Sequence, residues 1–134
     1  MKRVTAILLG AATLVACTAS AESADRGARK PIPEARETGK AVSCIPITQI
    51  RESRVRSDQI IDFRTSGNKW YRNTLPSSCP SLGFEERFSY KTSISQLCST
   101  DIITVLQSGG PGLMAGASCG LGQFQPVELA RKAK

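Results

Sequence analysis

The chain has 134 residues, a formal net charge of +7 and no histidine. A chain of this length forms one domain with one modest core. The absence of histidine excludes an imidazole general base, a nucleophile that depends on one and a histidine-ligated metal site. Residues 41–129 hold eight basic and seven acidic side chains, so the excess positive charge belongs to the two ends of the chain. Such a neutral central region does not favour nucleic-acid binding, which needs lysine and arginine clustered on a folded face.

The first 21 residues are typical of a secretory signal peptide. Two basic residues at 2–3 are followed by an uncharged, mostly apolar run over 4–16. This run is too short to cross a bilayer stably as a helix, but it has the length of a signal-peptide core. We therefore predict that residues 1–21 direct the chain to export and are then removed, wholly or in large part.

Two processing sites fit this segment. The residues Leu-Val-Ala-Cys at 14–17 have the form of a bacterial lipobox, which predicts that Cys17 is lipidated and becomes the first residue of the mature chain. The alternative is ordinary cleavage after Ala21, where small residues alternate. Lipidation is favoured because the cysteine stands at the end of the apolar run. Thr18, which follows it, favours sorting to the outer membrane.

Behind the signal, the sequence divides into a tether, a folded domain and a tail. Residues 22–41 alternate charges with Ala, Gly and Pro, which predicts a flexible tether because little apolar surface can be buried. Residues 42–129 contain short β-prone runs broken by Gly, Pro, Asn and Ser. Residues 130–134 form a basic tail. We predict an all-β domain, a small antiparallel meander of about six strands curled into a barrel or sandwich.

The clearest pair of strands is a hairpin formed by 59–65 and 69–75, which are separated by Ser-Gly-Asn at 66–68. A three-residue loop predicts the opposed pairs Phe63 with Tyr71, Asp62 with Arg72 and Arg64 with Trp70. This register gives an aromatic pair on one face, and an ion pair and a cation–aromatic contact on the other. A two-residue turn, which would set Phe63 against Arg72, is the less favoured alternative.

The second half of the domain contains three further predicted strands, the first over 87–92. Residues 101–107 are mostly apolar, which predicts a central strand, and Asp101 before it is expected to fix a turn by accepting backbone hydrogen bonds. The glycine-rich residues 108–116 predict a mobile connection to a last strand over 118–127. Residues 128–134 are expected to continue as a short helical tail.

Four cysteines remain after the signal, namely Cys44, Cys79, Cys98 and Cys119. An even number of cysteines in an exported chain predicts two disulfides. Three pairings are open to them, of which we expect Cys79 with Cys98 and Cys44 with Cys119, so that the second bond ties the first strand to the last. No Cys-x-x-Cys spacing occurs, and we predict neither a metal site nor a cofactor.

Two groups of residues are candidates for contact with a ligand or a partner. Trp70 lies beside Arg64 and Arg72 on the predicted hairpin, although ordinary packing on a sheet face would produce the same grouping. Leu113 and Met114 stand in the glycine-rich connection, where they either meet a partner or lipid or, as we favour, fold back onto the core. No two carboxylates are placed together as acid–base catalysis requires, so we assign no catalytic residue.

Several short motifs between residues 44 and 127 resemble those of a known family. They are the first cysteine of the domain, residues 71–75 leading into Cys-Pro-Ser-Leu at 79–82, Leu-Cys-Ser-Thr-Asp at 97–101, and Cys-Gly-Leu-Gly-Gln-Phe-Gln-Pro-Val at 119–127. In these motifs the chain resembles a family of small exported proteobacterial proteins catalogued as a domain of unknown function. The resemblance implies a secreted or lipid-anchored location and a cysteine-bearing β fold, and it brings no catalytic residues.

These observations favour a non-enzymatic cell-envelope protein. We expect an outer-membrane lipoprotein that faces the periplasm and binds or supports another envelope component, either a protein or a polysaccharide. One alternative is a small secreted inhibitor of a hydrolase that presents residues 108–116 as a binding loop. The other alternative is a soluble periplasmic protein, or an enzyme whose type the sequence motifs do not identify.

Overall fold

The computed structural model describes residues 30–131. These residues form ten β-strands, one short α-helix and two 3-10 turns at Ile47–Gln49 and Ser66–Asn68, which confirms the predicted all-β class. The predicted signal peptide with Cys17, residues 22–29 of the predicted tether and residues 132–134 of the predicted tail lie outside the described residues.

The ten strands outnumber the prediction of about six. Six have six residues or more and four have three, and strands of three residues leave little periodic signal in the sequence. In chain order they are β1 (Ala35–Glu37), β2 (Cys44–Pro46), β3 (Ile50–Val55), β4 (Ile60–Thr65), β5 (Lys69–Thr74), β6 (Phe88–Tyr90), β7 (Gln96–Cys98), β8 (Ile102–Ser108), β9 (Leu113–Gly120) and β10 (Phe124–Leu129). Helix α1 (Leu82–Glu85) lies between β5 and β6.

The strands form three antiparallel sheets around one core. The largest has the order β1-β10-β5-β4-β3, the second β6-β8-β9 and the third β2-β7. Residues from all three sheets join one buried cluster, in which Phe63 of β4 meets Phe124 of β10 and Phe88 of β6 edge-on at 5.6 and 6.2 Å between ring centres. Each large apolar side chain buried there contributes roughly 1.5–3 kcal/mol relative to exposure. The core therefore lies on one face of the five-stranded sheet, and the other face of that sheet points away from the core.

The predicted hairpin is confirmed in its register. β4 and β5 pair with Phe63 opposite Tyr71, Asp62 opposite Arg72 and Arg64 opposite Trp70. The turn at Ser66–Asn68 has positive φ angles at Gly67 (76°) and Asn68 (59°), the two residue types that adopt this conformation most easily. Because side chains alternate along a strand, the aromatic pair faces the core and the charged pairs face outward.

The cysteines pair differently from our expectation. Two disulfides are formed, but they join Cys44 to Cys98 and Cys79 to Cys119. Cys44 and Cys98 stand directly opposite each other where β2 pairs with β7, with Cα atoms 4.0 Å apart. Cys119 lies opposite the buried Ile103, so it faces the core, where Cys79 is buried. The expected pairing was wrong because the observed one depends on the pairing of β2 with β7, two three-residue strands that the sequence pattern does not reveal.

The predicted connection at 108–116 is also shorter than expected. β8 reaches Ser108 and β9 begins at Leu113, so only residues 109–112 join the two strands. Leu113 and Met114 are 56% and 54% exposed, so they do not fold back onto the core as we favoured. β8 is central in its sheet, as predicted, and the Asp101 carboxylate accepts a hydrogen bond from the Cys98 amide at 2.7 Å, as expected.

Both ends of the described chain join the largest sheet. Ala35–Glu37, predicted to be part of the tether, form β1 on the edge of β10. The predicted last strand at 118–127 is divided between β9 and β10, and the predicted helical tail begins as the end of β10. Main-chain hydrogen bonds at a sheet edge need no apolar side chains, which explains why charged sequence forms a strand here.

A buried amide links β5 to the segment between β9 and β10. The Asn73 side chain is fully buried, donates to the Gly122 carbonyl at 2.6 Å and accepts from the Gly122 amide at 2.8 Å. A side chain at position 122 would overlap the Thr74 carbonyl oxygen, so glycine is required for this approach. The pair of hydrogen bonds holds β10 in place beside β5.

We expect Asn73→Ala to lower the free energy of unfolding by about 2 kcal/mol, because two backbone groups of Gly122 lose their partner inside the protein. Denaturant unfolding measures this difference. Gln125→Ala is the matched control, since the Gln125 amide bonds the Gly39 carbonyl near the surface and its loss should cost less than about 0.5 kcal/mol. Equal losses in the two variants would contradict this account of Asn73.

Candidate functional site

The outer face of the five-stranded sheet is strongly charged over β3, β4 and β5. Strand pairing places six of its residues together, because directly opposed residues project to the same side, and Arg56, which follows β3, joins them through its hydrogen bond to Asp62. We call this surface the arginine face; its residues are Glu52, Arg54, Arg56, Asp62, Arg64, Trp70 and Arg72. Four arginines stand against two carboxylates here, which leaves two positive charges in excess. Glu37 projects to the same side, but from β1, two strands away from β5.

One half of the arginine face is buried. Asp62 is fully buried and accepts hydrogen bonds from Arg56 Nε at 2.8 Å and from Arg72 Nε and Nη2 at 2.8 and 3.0 Å. Arg72 also donates to the carbonyl of Pro33, in the segment before β1, which passes over this half. The arginine side chains are 18% and 15% exposed, so this charge cluster is a structural part of the domain.

The other half of the arginine face is open to solvent. Glu52 accepts from Arg54 Nε and from Arg64 Nε, the latter at 3.0 Å, and the two arginine side chains are 50% and 37% exposed. The guanidinium carbon of Arg54 lies 5.3 Å from the centre of the Trp70 ring. The Arg54 hydrogen bond is the main influence that lowers the pKa of Glu52; partial burial opposes it, and the Arg64 bond adds to it. This carboxylate therefore stays ionised and holds both guanidinium groups.

We expect the Glu52 carboxylate to stabilise the fold less as the pH falls. A carboxyl group whose pKa is lower in the folded than in the unfolded chain contributes fully above its unfolded pKa and loses that contribution as pH falls through the folded one. The free energies of unfolding of the unmodified protein and Glu52→Gln should thus differ by less than about 1 kcal/mol at neutral pH. The gap should narrow as the pH falls through the range in which this carboxyl group becomes protonated. A gap that stays constant across this range would show that ionisation of Glu52 plays no part.

The structure brings the three predicted hairpin residues onto one face but gives them different roles. Arg72 is taken up by the buried Asp62 cluster, whereas Arg64 and Trp70 belong to the open half. The predicted cation–aromatic contact was assigned to the wrong arginine, because Arg54 lies over Trp70 while Arg64 turns to Glu52. Sequence reasoning missed the contribution of β3. The signal was present in the alternating charges at 52, 54 and 56.

Leu113 and Met114, the other predicted contact residues, lie at the start of β9 and are not part of the arginine face. The β8–β9 hairpin end is held to helix α1, because the amide and hydroxyl of Ser108 donate to the Glu85 carboxylate at 3.3 and 3.2 Å. Phe84 on that helix is 85% exposed. The hairpin end thus presents apolar side chains on a supported backbone.

Beside the helix lies a cleft of about 420 Å³. Its walls include the turn after β3, where the Gly83 amide donates to the Asp58 carboxylate at 2.7 Å. Positive side chains (Lys30 and Arg56) and negative ones (Asp58 and Glu86) line it together, and Lys30 bonds to Glu86 at 3.0 Å. The cleft therefore lacks the net positive charge that distinguishes the arginine face.

Within residues 30–131, no three His, Cys, Asp or Glu side chains are grouped closely enough to hold a metal ion. In the same range, no helix combines the length and apolar character needed to cross a membrane.

The chemistry of the arginine face is suited to binding. Its guanidinium groups donate several hydrogen bonds in one plane, and its aromatic ring offers a flat apolar surface.

Comparison of the chain with protein-family models, with curated proteins and with solved structures finds no match to any of them. The resemblance to a family of small exported proteobacterial proteins therefore stays a prediction.

Proposed function

We propose that this chain is a non-enzymatic protein of the bacterial cell envelope, anchored through a lipid on Cys17 and facing the periplasm, which binds or supports another envelope component. The observation that carries the proposal is that both pairs of cysteines in the domain form disulfides. Stable disulfides belong to oxidising compartments such as the periplasm. The signal-like run before Cys17 supports the same destination.

The arginine face is the part of the domain that supports a binding role. Its charges are held by ion pairs on three neighbouring strands, so a partner meets groups that are already in position. Preorganised groups lose little conformational freedom on binding, which favours affinity.

The anchor is tested by mass spectrometry of the protein extracted from bacterial envelopes. We expect the amino-terminal peptide to begin at Cys17 and to carry acyl chains. Cys17→Ser is the control, which should abolish acylation and release the protein from the membrane fraction. A mature chain that begins at Glu22 in the unmodified protein would refute the anchor.

A secreted inhibitor of a hydrolase is a second candidate, and the β8–β9 hairpin end is what favours it. Leu113 and Met114 are more than half exposed there, and the Glu85–Ser108 hydrogen bonds support the backbone. Crosslinked pull-down from intact envelopes separates the two candidates. Loss of the captured partner in Leu113→Ser, but not in Arg64→Gln, would favour the inhibitor.

A further inference from the structure

We propose that the open half of the arginine face binds an acidic polysaccharide, with a sugar carboxylate between Arg54 and Arg64 and a sugar ring against Trp70. This inference rests on the proposed function, because it names the class of envelope component that the domain would bind.

The first argument is charge. Each carboxylate of the arginine face accepts hydrogen bonds from two arginines, so one positive charge remains in excess in each half. Around the buried Asp62, the segment that contains Pro33 covers the excess positive charge. Around Glu52 the excess faces solvent, since Arg54 and Arg64 are 50% and 37% exposed. The second of these is the more accessible to an anionic ligand.

The second argument is the geometry of the two exposed guanidinium groups. Both arginines use Nε to bond Glu52, and no residue in the described part of the chain accepts from their terminal nitrogens. Those nitrogens are the donors that bind carboxylates in a two-pronged manner. Glu52 therefore orients the arginines and leaves free the atoms that a ligand would use.

The third argument concerns Trp70. The guanidinium carbon of Arg54 lies over the Trp70 ring, 5.3 Å from its centre, so a group bound by the arginine is also within reach of the indole. A pyranose ring has an apolar C–H face that packs on an aromatic ring, whereas a free inorganic anion has none. An aromatic ring beside a carboxylate-binding arginine pair thus matches an acidic sugar.

The shape of the face favours a polymer over both a small ion and a membrane. An open sheet surface shields a single ion poorly from water, so affinity there depends on several linked contacts. The exposed large apolar residues of the described chain lie outside β3, β4 and β5, so apart from the half-buried Trp70 this face offers no large apolar side chain to a bilayer. They are Ile32, Val42, Phe84, Ile94, Ile102, Leu113 and Met114.

The test uses the protein purified with both disulfides formed, together with an oligomer of galacturonic acid. Trp70 is the only tryptophan in the chain, so its fluorescence reports directly on this surface. We expect a saturable change in that fluorescence with the acidic oligomer. The methyl-esterified oligomer, which keeps the sugar rings but not the charges, should produce no such change.

Variants then locate the binding. Arg64→Gln should weaken binding of the oligomer about tenfold or more, because a charge-assisted contact is lost. Arg36→Gln is the matched control, since this side chain is 79% exposed, pairs with Glu128 and projects from the other face of the sheet. It should change the dissociation constant by no more than about twofold.

Three outcomes would overturn the proposal. They are no fluorescence change with the acidic oligomer, equal weakening in Arg64→Gln and Arg36→Gln, and binding to phosphatidylglycerol vesicles in place of the oligomer. Envelope location and acylation are measured separately, in cells. The ligand proposal can therefore fail while the envelope proposal stands, and the reverse.

Discussion

Replacing both cysteines of the Cys44–Cys98 disulfide by alanine should lower the free energy of unfolding by about 4 kcal/mol. The bond closes a loop with a sequence separation of 54 residues, so its removal frees a long stretch of the unfolded chain. It is also the covalent support of the two-stranded sheet, in which β2 and β7 have only three residues each. Denaturant unfolding under non-reducing conditions measures the loss.

The Cys79–Cys119 disulfide should contribute almost as much, since its sequence separation is 40 and loop-closure entropy changes slowly with length. Single domains are stable by only about 5–15 kcal/mol. Full reduction removes both bonds, which together contribute about 8 kcal/mol by the same loop-closure estimate. It should therefore leave the domain unfolded or close to it. A reduced protein that keeps its unfolding midpoint would contradict the structural role of both bonds.

Peptide mapping can decide the connectivity, provided the digestion is chosen from the sequence. No lysine or arginine lies between Cys98 and Cys119, so trypsin leaves both on one peptide and cannot distinguish the two pairings. A second cleavage before Asp101 separates them. We then expect the Cys98 fragment to be joined to the Cys44 peptide, and a bond from Cys98 to Cys79 would refute the observed pairing.

Asp62→Asn should lower the free energy of unfolding by about 3–5 kcal/mol. The substitution keeps the size of the side chain but removes the charge that two largely buried guanidinium groups share. Its new amide nitrogen would also face arginine N–H groups, which are donors only. Unfolding by denaturant at neutral pH checks the value.

Two further variants make this prediction specific. Arg56→Gln should cost less than Asp62→Asn, because Asp62 keeps two hydrogen bonds from Arg72. Glu128→Gln, in an exposed pair with Arg36, should cost less than about 1 kcal/mol. If Asp62→Asn cost no more than Glu128→Gln, burial of the Asp62 carboxylate would not contribute to stability.

The local features of this domain could be predicted because they depend on neighbours in the chain. The register of β4 with β5 follows from a three-residue turn with Gly67 at its centre, and the alternation of the strands then sets which side chains face the core. Asp101 likewise bonds a backbone group only three residues away.

The part of the candidate site that lies on β3 was not predicted, because its position depends on residues that are farther apart in the chain. Arg64, Trp70 and Arg72 lie within the hairpin, so the sequence placed them together. Glu52 and Arg54 reach the same surface only because β3 pairs with β4, and their irregular register, with a shift after Ile50, has no simple turn to define it. The exposure of each arginine depends in addition on the segment before β1, which covers only one half of the face.

By itself, then, the amino-acid sequence determined the β class, the central hairpin and the use of four cysteines in two disulfides. Hydrophobic alternation and turn residues determine structure over short distances in the chain, and an even number of cysteines already indicates that they pair. Only the tertiary structure decided which cysteines pair, that residues 35–37 form a strand and that Asp62 is buried. Each of these depends on contacts between segments distant in the chain, whose free energies become favourable only after the sheets have assembled.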